Sequence, residues 1–202
     1  MIQRRVFLAA SAAALLWGQR LALAAVSADD AKKFIDNLGE DAISSLTGST
    51  LNPHDRETRF RALLVAHFDM LGISKFVLAR YWKIATPDQQ TEFQKLLEDL
   101  LTQSYAKTFA QYAGEKFKVT GTHGNDDGST MVNSSVDRPN GDVIRLDWRV
   151  DDQSGTMRIT DLLVEGISLR TTHRSDFASA IQSNGGTVEG LLNALRQKVN
   201  SQ

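Results

Sequence analysis

A chain of 202 residues, 42% hydrophobic and 23% charged, has the size and composition of one soluble globular domain. Its formal net charge of −1 gives no electrostatic reason to expect a nucleic-acid partner. The absence of cysteine excludes a disulfide framework, a thiolate metal site and a thiol nucleophile.

Residues 1–24 read as an export signal. Arg4 and Arg5 form a short basic segment, VFLAASAAALLWG is an apolar run, and Ala22-Leu23-Ala24 supplies the small residues a signal peptidase cuts after. The run is too short and alanine-rich for a membrane span, which needs ~20 apolar residues. Arg4-Arg5-Val6-Phe7-Leu8 is similar to the twin-arginine motif but lacks the lysine often found after it, and Sec signals also carry paired arginines. Either route, with cleavage, delivers a soluble periplasmic protein; a retained N-terminal anchor is the alternative. Losing Arg4, Arg5 and Arg20 leaves 20 basic against 24 acidic side chains, a net charge of −4.

Four helices are predicted next. From Ser27 to Leu46, apolar residues recur every four positions at Phe34, Leu38, Ala42 and Leu46. Asn52-Pro53 is an N-cap followed by a helix-starting proline, and Phe60, Leu63, Leu64 and Phe68 mark the buried stripe of the second helix. After Gly72, ISKFVLARYWKIA places Ile73, Phe76, Val77, Tyr81 and Ile84 on one side. Thr86-Pro87-Asp88-Gln89 combines an N-cap, a first-turn proline and a capping-box glutamine, and launches the longest helix, ending near Gly114. Its apolar stripe is wide: Phe93, Leu96, Leu97, Leu100, Leu101, Tyr105, Phe109 and Tyr112.

The following stretch reads as strands. Phe117 and Val119, then Val132 and Val136, alternate with polar residues, and His123–Gly128 forms a polar loop between the two runs. In DVIRLDWRV, Ile144, Leu146, Trp148 and Val150 share one parity and Arg145, Asp147 and Arg149 the other, the signature of one dry and one wet face. A turn over Asp151–Gly155 leads to a last strand running to Arg170. Its register shifts near Asp161-Leu162-Leu163 and Gly166 interrupts it, so a bulge is expected. Two final helices, Ser175–Ser183 and Val188–Val199, flank Gly185-Gly186. The fold class is α+β: a curved four-stranded antiparallel sheet packed against several helices, an NTF2-like cone with a helical subdomain.

Catalytic constellations are scarce. His54, His67, His123 and His173 make no H-x-x-x-H pair, and there is no G-x-S-x-G, P-loop or dinucleotide fingerprint. His67 reads as a helix-face histidine rather than a base. A small-molecule enzyme on such a cone needs a titratable group at an inward strand position. The inward parity offers Ile144, Leu146, Trp148, Val150, Val132 and Val136, with Asp147 and Glu165 facing outward. Neither cofactor nor metal is called for. Plain core and an apolar ligand cavity remain the competing readings.

Several segments together carry a resemblance. FDMLGISKFVLARYW (Phe68 to Trp82), TPDQQTEFQKLLEDLL (Thr86 to Leu101), LDWRV, RITDLLVEGISL (Arg158 to Leu169) and FASAIQSNGGTVEGLLNALR (Phe177 to Arg196) resemble, in order and spacing, the MlaC or toluene-tolerance auxiliary family across residues 27–200. The Asn-Gly-Gly block is also similar to its hopanoid-associated HpnM branch. The resemblance implies a single domain over residues 25–200: helical to about 114, sheet over about 115–170, helical again over about 175–200. It implies a non-enzymatic periplasmic phospholipid carrier. Its partners would be an inner-membrane ABC transporter with an MCE-domain subunit and an outer-membrane lipoprotein or porin complex. A hopanoid or other apolar lipid is the alternative cargo.

Burying a methylene contributes ~0.8 kcal/mol, so two tails of about fifteen carbons represent on the order of 24 kcal/mol, nearly what a bilayer supplies. A carrier must match that environment with apolar side chains and leave the head group in water. Periodicity nominates Phe93, Leu97, Leu101, Tyr105 and Phe109 on the long helix, facing Val132, Leu146, Trp148, Leu162 and Val164 on the sheet, with about half of them touching lipid. Lys32, Lys33, Arg145 and Arg149 are candidates for docking.

Overall fold

The computed structural model describes residues 27–153 and 155–201; the expected export signal lies outside them. Helix α1 (Ala28–Leu46) starts at Ser27, whose hydroxyl accepts from the Asp30 amide, and α2 (Pro53–His67) starts at Asn52, which caps the Asp55 amide. The turn between them is held by an arginine that periodicity does not single out. Arg56 is buried and donates to the carbonyls of Leu46, Gly48 and Leu51, satisfying one acceptor left over at the end of α1 and two in the turn.

Helix α3 (Met70–Leu78), capped by Asp69, begins three residues before the expected Ile73 and stops at Ala79, where φ turns to +50°. A 3₁₀ turn (Ala79–Lys83) follows. The predicted single helix is therefore broken, and Ile84, expected on its buried side, is 71% exposed. Helix α4 (Pro87–Ala110) carries the full capping box of Thr86 and Gln89, and ends a turn earlier than expected.

The sheet is an antiparallel meander of five strands: β1 (Lys116–Gly124), β2 (Thr130–Asp137), β3 (Val143–Asp152), β4 (Met157–Val164) and β5 (Ile167–Ser168). The fifth strand corrects the expectation of four. Glu165 and Gly166 both adopt positive φ, +51° and +79°, so the break at Gly166 is a tight two-residue turn that reverses the chain. The bulge expected in this region lies at Thr160, the residue skipped between Ile159 and Asp161 in the pairing with β3; a second skips Thr120 in β1. Bulges bend the strands that carry them. Helix α5 (Leu169–Ser183) begins directly after β5, capped by Ser168, six residues before the expected Ser175. Helix α6 (Val188–Asn200) follows the Gly185-Gly186 turn.

The buried side chains form two clusters. One is helical: Phe93, Leu96, Leu97 and Leu100 of α4 pack with Val77 and Leu78 of α3, Phe177 and Ile181 of α5, and Leu191, Leu192 and Leu195 of α6. The other joins Ala31, Ile35 and Leu38 of α1 to Val132, Val150 and Ile159 of the sheet. Phe68 packs against both. It pairs with Ile159 in a parallel bridge, and the Asp69 amide donates to the Ile159 carbonyl at 2.9 Å. The first residues of the FDMLGI segment thus tie the helices to β4.

Candidate functional site

The inner face of the sheet, the one against which α1 packs, can be read row by row from the strand register. Thr130, Val150 and Ile159 form one row. Thr122, Val132, Trp148 and Leu162 form the next, then Val119, Ser134, Leu146, Val164 and Ile167 across all five strands, then Phe117, Val136 and Ile144. The five nominated sheet residues therefore stand side by side in two adjacent rows. The parity expected for β1 to β3 is the observed one. The Thr160 bulge carries the parity over into β4, so Leu162 and Val164 fall in line with Trp148 and Leu146.

Coverage of this face is graded. The first row and Val132 are buried beneath α1. Leu146, Trp148, Leu162, Val164, Val136 and Ile144 are half-buried, and Ile167 is 63% exposed at the sheet edge. Apolar rows thus continue past the helix that seals them. Along these rows the polar side chains are the hydroxyls of Thr122, Thr130 and Ser134. Ser134 is buried, accepting from the Trp148 indole N–H at 2.8 Å and donating to the Leu146 carbonyl at 3.1 Å. Phe117 meets Trp148 edge-on, ring centroids 6.4 Å apart. Such a surface excludes water and offers dispersion contacts, with no side chain on those rows able to ionise at neutral pH.

The nominated helix residues are placed differently. Helix α4 packs chiefly on α2 and α6. Phe93 and Leu97 are fully buried in the helical cluster, Phe93 edge-on to Phe177 at 5.4 Å. A stripe wider than one interface needs is explained by packing against helices on more than one side. Leu101, Tyr105 and Phe109 are half-buried. Leu101 borders the helical cluster, Phe109 tilts against Phe60 at 6.0 Å, and burial pushes the Tyr105 phenol above its ordinary pKa.

Charged groups lie off the inner rows. Asp147 takes a 2.6 Å hydrogen bond from Asn133. Glu165 accepts from the Arg145 amide at 2.6 Å and from its guanidinium at 3.0 and 3.2 Å, which holds the carboxylate below its ordinary pKa and clasps the β4–β5 turn. Arg149 pairs with Asp127. The two sheet arginines considered for docking are thus already engaged. Buried Asp161 accepts from Ser168 at 2.6 Å and faces Arg170 at 3.3 Å, fixing the start of α5. His67 bonds the Leu63 carbonyl of its own helix at 2.9 Å.

Ser134 and Ile167 belong to the face although sequence reading did not nominate them. Ser134 sits at the parity of Val132 and Val136 and was recoverable from it; Ile167 was hidden by the unrecognised turn.

Comparison with known proteins fits this architecture. The MlaC protein family model matches residues 32–197. The toluene tolerance protein ttg2D of Pseudomonas putida is 27% identical over 139 residues, 68% of this chain and 65% of that protein, so the match spans less than two thirds of the relative's length. The intermembrane phospholipid transport system binding protein MlaC of Haemophilus influenzae is 20% identical over 166 residues, covering 80% of this chain and 77% of that protein. A solved structure, the phospholipid-binding protein from Ralstonia solanacearum in complex with a phospholipid, superimposes with a TM-score of 0.77 at 24% identity, over 85% of this chain and 97% of that one. The shared fold and a family model accounting for most of the 202-residue sequence lead to one assignment: the chain belongs to the MlaC family.

Proposed function

We propose that this protein is a periplasmic phospholipid-binding carrier whose acyl tails lie along the inner face of the sheet. The observation that carries the reading is the unsealed apolar face: Leu146, Trp148, Leu162 and Val164 are half-buried in adjacent rows that run out to exposed Ile167. In a dense core these side chains would be covered; here they are left for an apolar occupant. Val132 forms the floor, and Leu101, Tyr105 and Phe109, partly exposed on α4, complete the set expected to meet lipid. Phe93 and Leu97 serve the helical core.

The relatives support the same reading: one is named for phospholipid transport between membranes, and one fold neighbour holds a phospholipid. The cargo would pass between an outer-membrane lipoprotein or porin complex and an inner-membrane ABC transporter with an MCE-domain subunit, after export directed by residues 1–24. No helix among the described residues is long and apolar enough to cross a membrane.

Mass spectrometry of the protein purified from periplasm is the test. Co-purifying phospholipid, re-acquired from vesicles after delipidation, is the expected result. A protein that emerges empty and extracts nothing overturns the proposal, and a bound hopanoid replaces the cargo.

A further inference from the structure

A groove of about 490 Å³ lies away from the sheet, between the end of α3 with its 3₁₀ turn and the outer side of α5. Its polar lining is rich in hydrogen-bond donors. Tyr81 is buried, and its phenolic oxygen accepts from Arg80 Nη2 and from Gln182 Nε2, each at 2.9 Å. Two donors occupy both lone pairs, so the phenol's own proton is left to be offered outward. Arg174, Ser175 and Ser179 line the α5 wall, and no carboxylate lines the groove.

Among the described arginines, Arg61, Arg145, Arg149, Arg170 and Arg196 each have a carboxylate within ion-pair distance, and Arg56, Arg59 and Arg158 donate to backbone carbonyls. Arg80 and Arg174 have aromatic rings instead: Arg80 stands 4.9 Å over Tyr81, and Arg174 stands 5.3 Å over Phe76. Among the described residues neither is paired with an acid. The backbone between the two walls is also strained. Ala79 sits at φ +50°, ψ −120°, which L-residues rarely adopt, and this bend carries Arg80 and Tyr81 to α5.

We propose that this groove binds an anion of the phosphate class, held by the guanidinium groups of Arg80 and Arg174 on its two walls and by the Tyr81 hydroxyl between them. Planar guanidinium forks match tetrahedral oxyanions two N–H groups at a time. An anion in this groove meets two guanidinium groups with no carboxylate on the lining to compete for them. The ligand is either a small free phosphate or a phosphate carried on a lipid head group; the recognising chemistry is the same. The site is separate from the inner sheet face, so it does not depend on lipid binding there.

Amide and arginine side-chain NMR shifts of the exported protein, titrated at constant ionic strength with sodium phosphate, with glycerol 3-phosphate and with phosphatidylglycerol vesicles, test this against sodium chloride. Saturable shifts at Arg80, Tyr81 and Ser175 with the soluble phosphates are expected, weakened about tenfold by R80Q and by R174Q and less by Y81F. Shifts seen only with vesicles, and lost in the same variants, assign the ligand to a lipid head group. Both arginines are exposed, so unchanged melting temperatures in R80Q and R174Q confirm that folding is not what was lost. Binding as tight in R80Q and R174Q as in the parent, or no response to any of the three probes beyond that to sodium chloride, overturns the proposal.

Discussion

Trp148 and Ser134 stand on neighbouring strands, joined by a 2.8 Å hydrogen bond from the indole N–H to the hydroxyl. The polar edge of the ring is thereby satisfied inside the sheet, and what the tryptophan turns toward the inner face is hydrocarbon. Ser134→Ala would leave the indole N–H unpaired. Unfolding in urea should show a loss of about 1–2 kcal/mol, more than removal of a small hydroxyl from water-exposed surface would give.

Core and ligand face separate by substitution. Leu146→Asp places a carboxylate on a half-buried surface and should abolish lipid retention while circular dichroism and melting remain close to those of the parent; Trp148→Asp should abolish it too, with the fold retained but melting lowered by the lost indole bond and Phe117 contact. Phe93→Ala, by contrast, opens a void in a fully buried position and should cost about 3–5 kcal/mol of stability. Unfolding of the two sheet variants, with Phe93→Ala stable, would reverse the assignment.

Asp69 does three things within one residue. Its side chain caps α3 through the Gly72 amide at 2.9 Å, accepts from Gln153 at 3.0 Å, and its own amide donates to Ile159. Asp69→Ala should lower stability by about 1–2 kcal/mol. A methyl group at Gly72 would run into the Asp69 carboxylate, so Gly72→Ala should displace the same cap. Because both changes remove one interaction, thermal melts of the double variant should show less than the sum of the two losses.

His173 gives a pH dependence. Its ring stacks on Phe177 with centroids 5.9 Å apart, and burial pushes its imidazole below the ordinary value; Asp176 opposes this and Lys198 reinforces it. Below the ordinary pKa of about 6.5, the unfolded chain takes up a proton that the folded one refuses, so stability falls with decreasing pH from there to the lower folded value. Above about pH 7 it contributes no slope. Melting temperatures between pH 7.5 and 5 should drop for the parent and drop less for His173→Phe.

Local chemistry was legible in the sequence and partnership was not. Asn52-Pro53 and Thr86-Pro87-Gln89 place two helix starts to the residue, because a cap needs only neighbours in sequence. The alternation in DVIRLDWRV gives the inner face for the same reason. The turn at Glu165-Gly166 escaped because glutamate is a poor signal for positive φ, and with it went β5, the start of α5 and the place of Ile167. The broad stripe of α4 states how much of that helix is covered but not by which layer; α2 and α6 cover much of it, and α1 lies on the sheet. Arg56 reads as a solvated charge until the carbonyls it collects, five to ten residues upstream, are brought around it.

Among the described residues, Phe68 is the one side chain that packs on both hydrophobic clusters. The strap from Phe68 and Asp69 to Ile159 therefore sits where both kernels are felt at once, so a change at this ring would reach the helical half and the sheet half together.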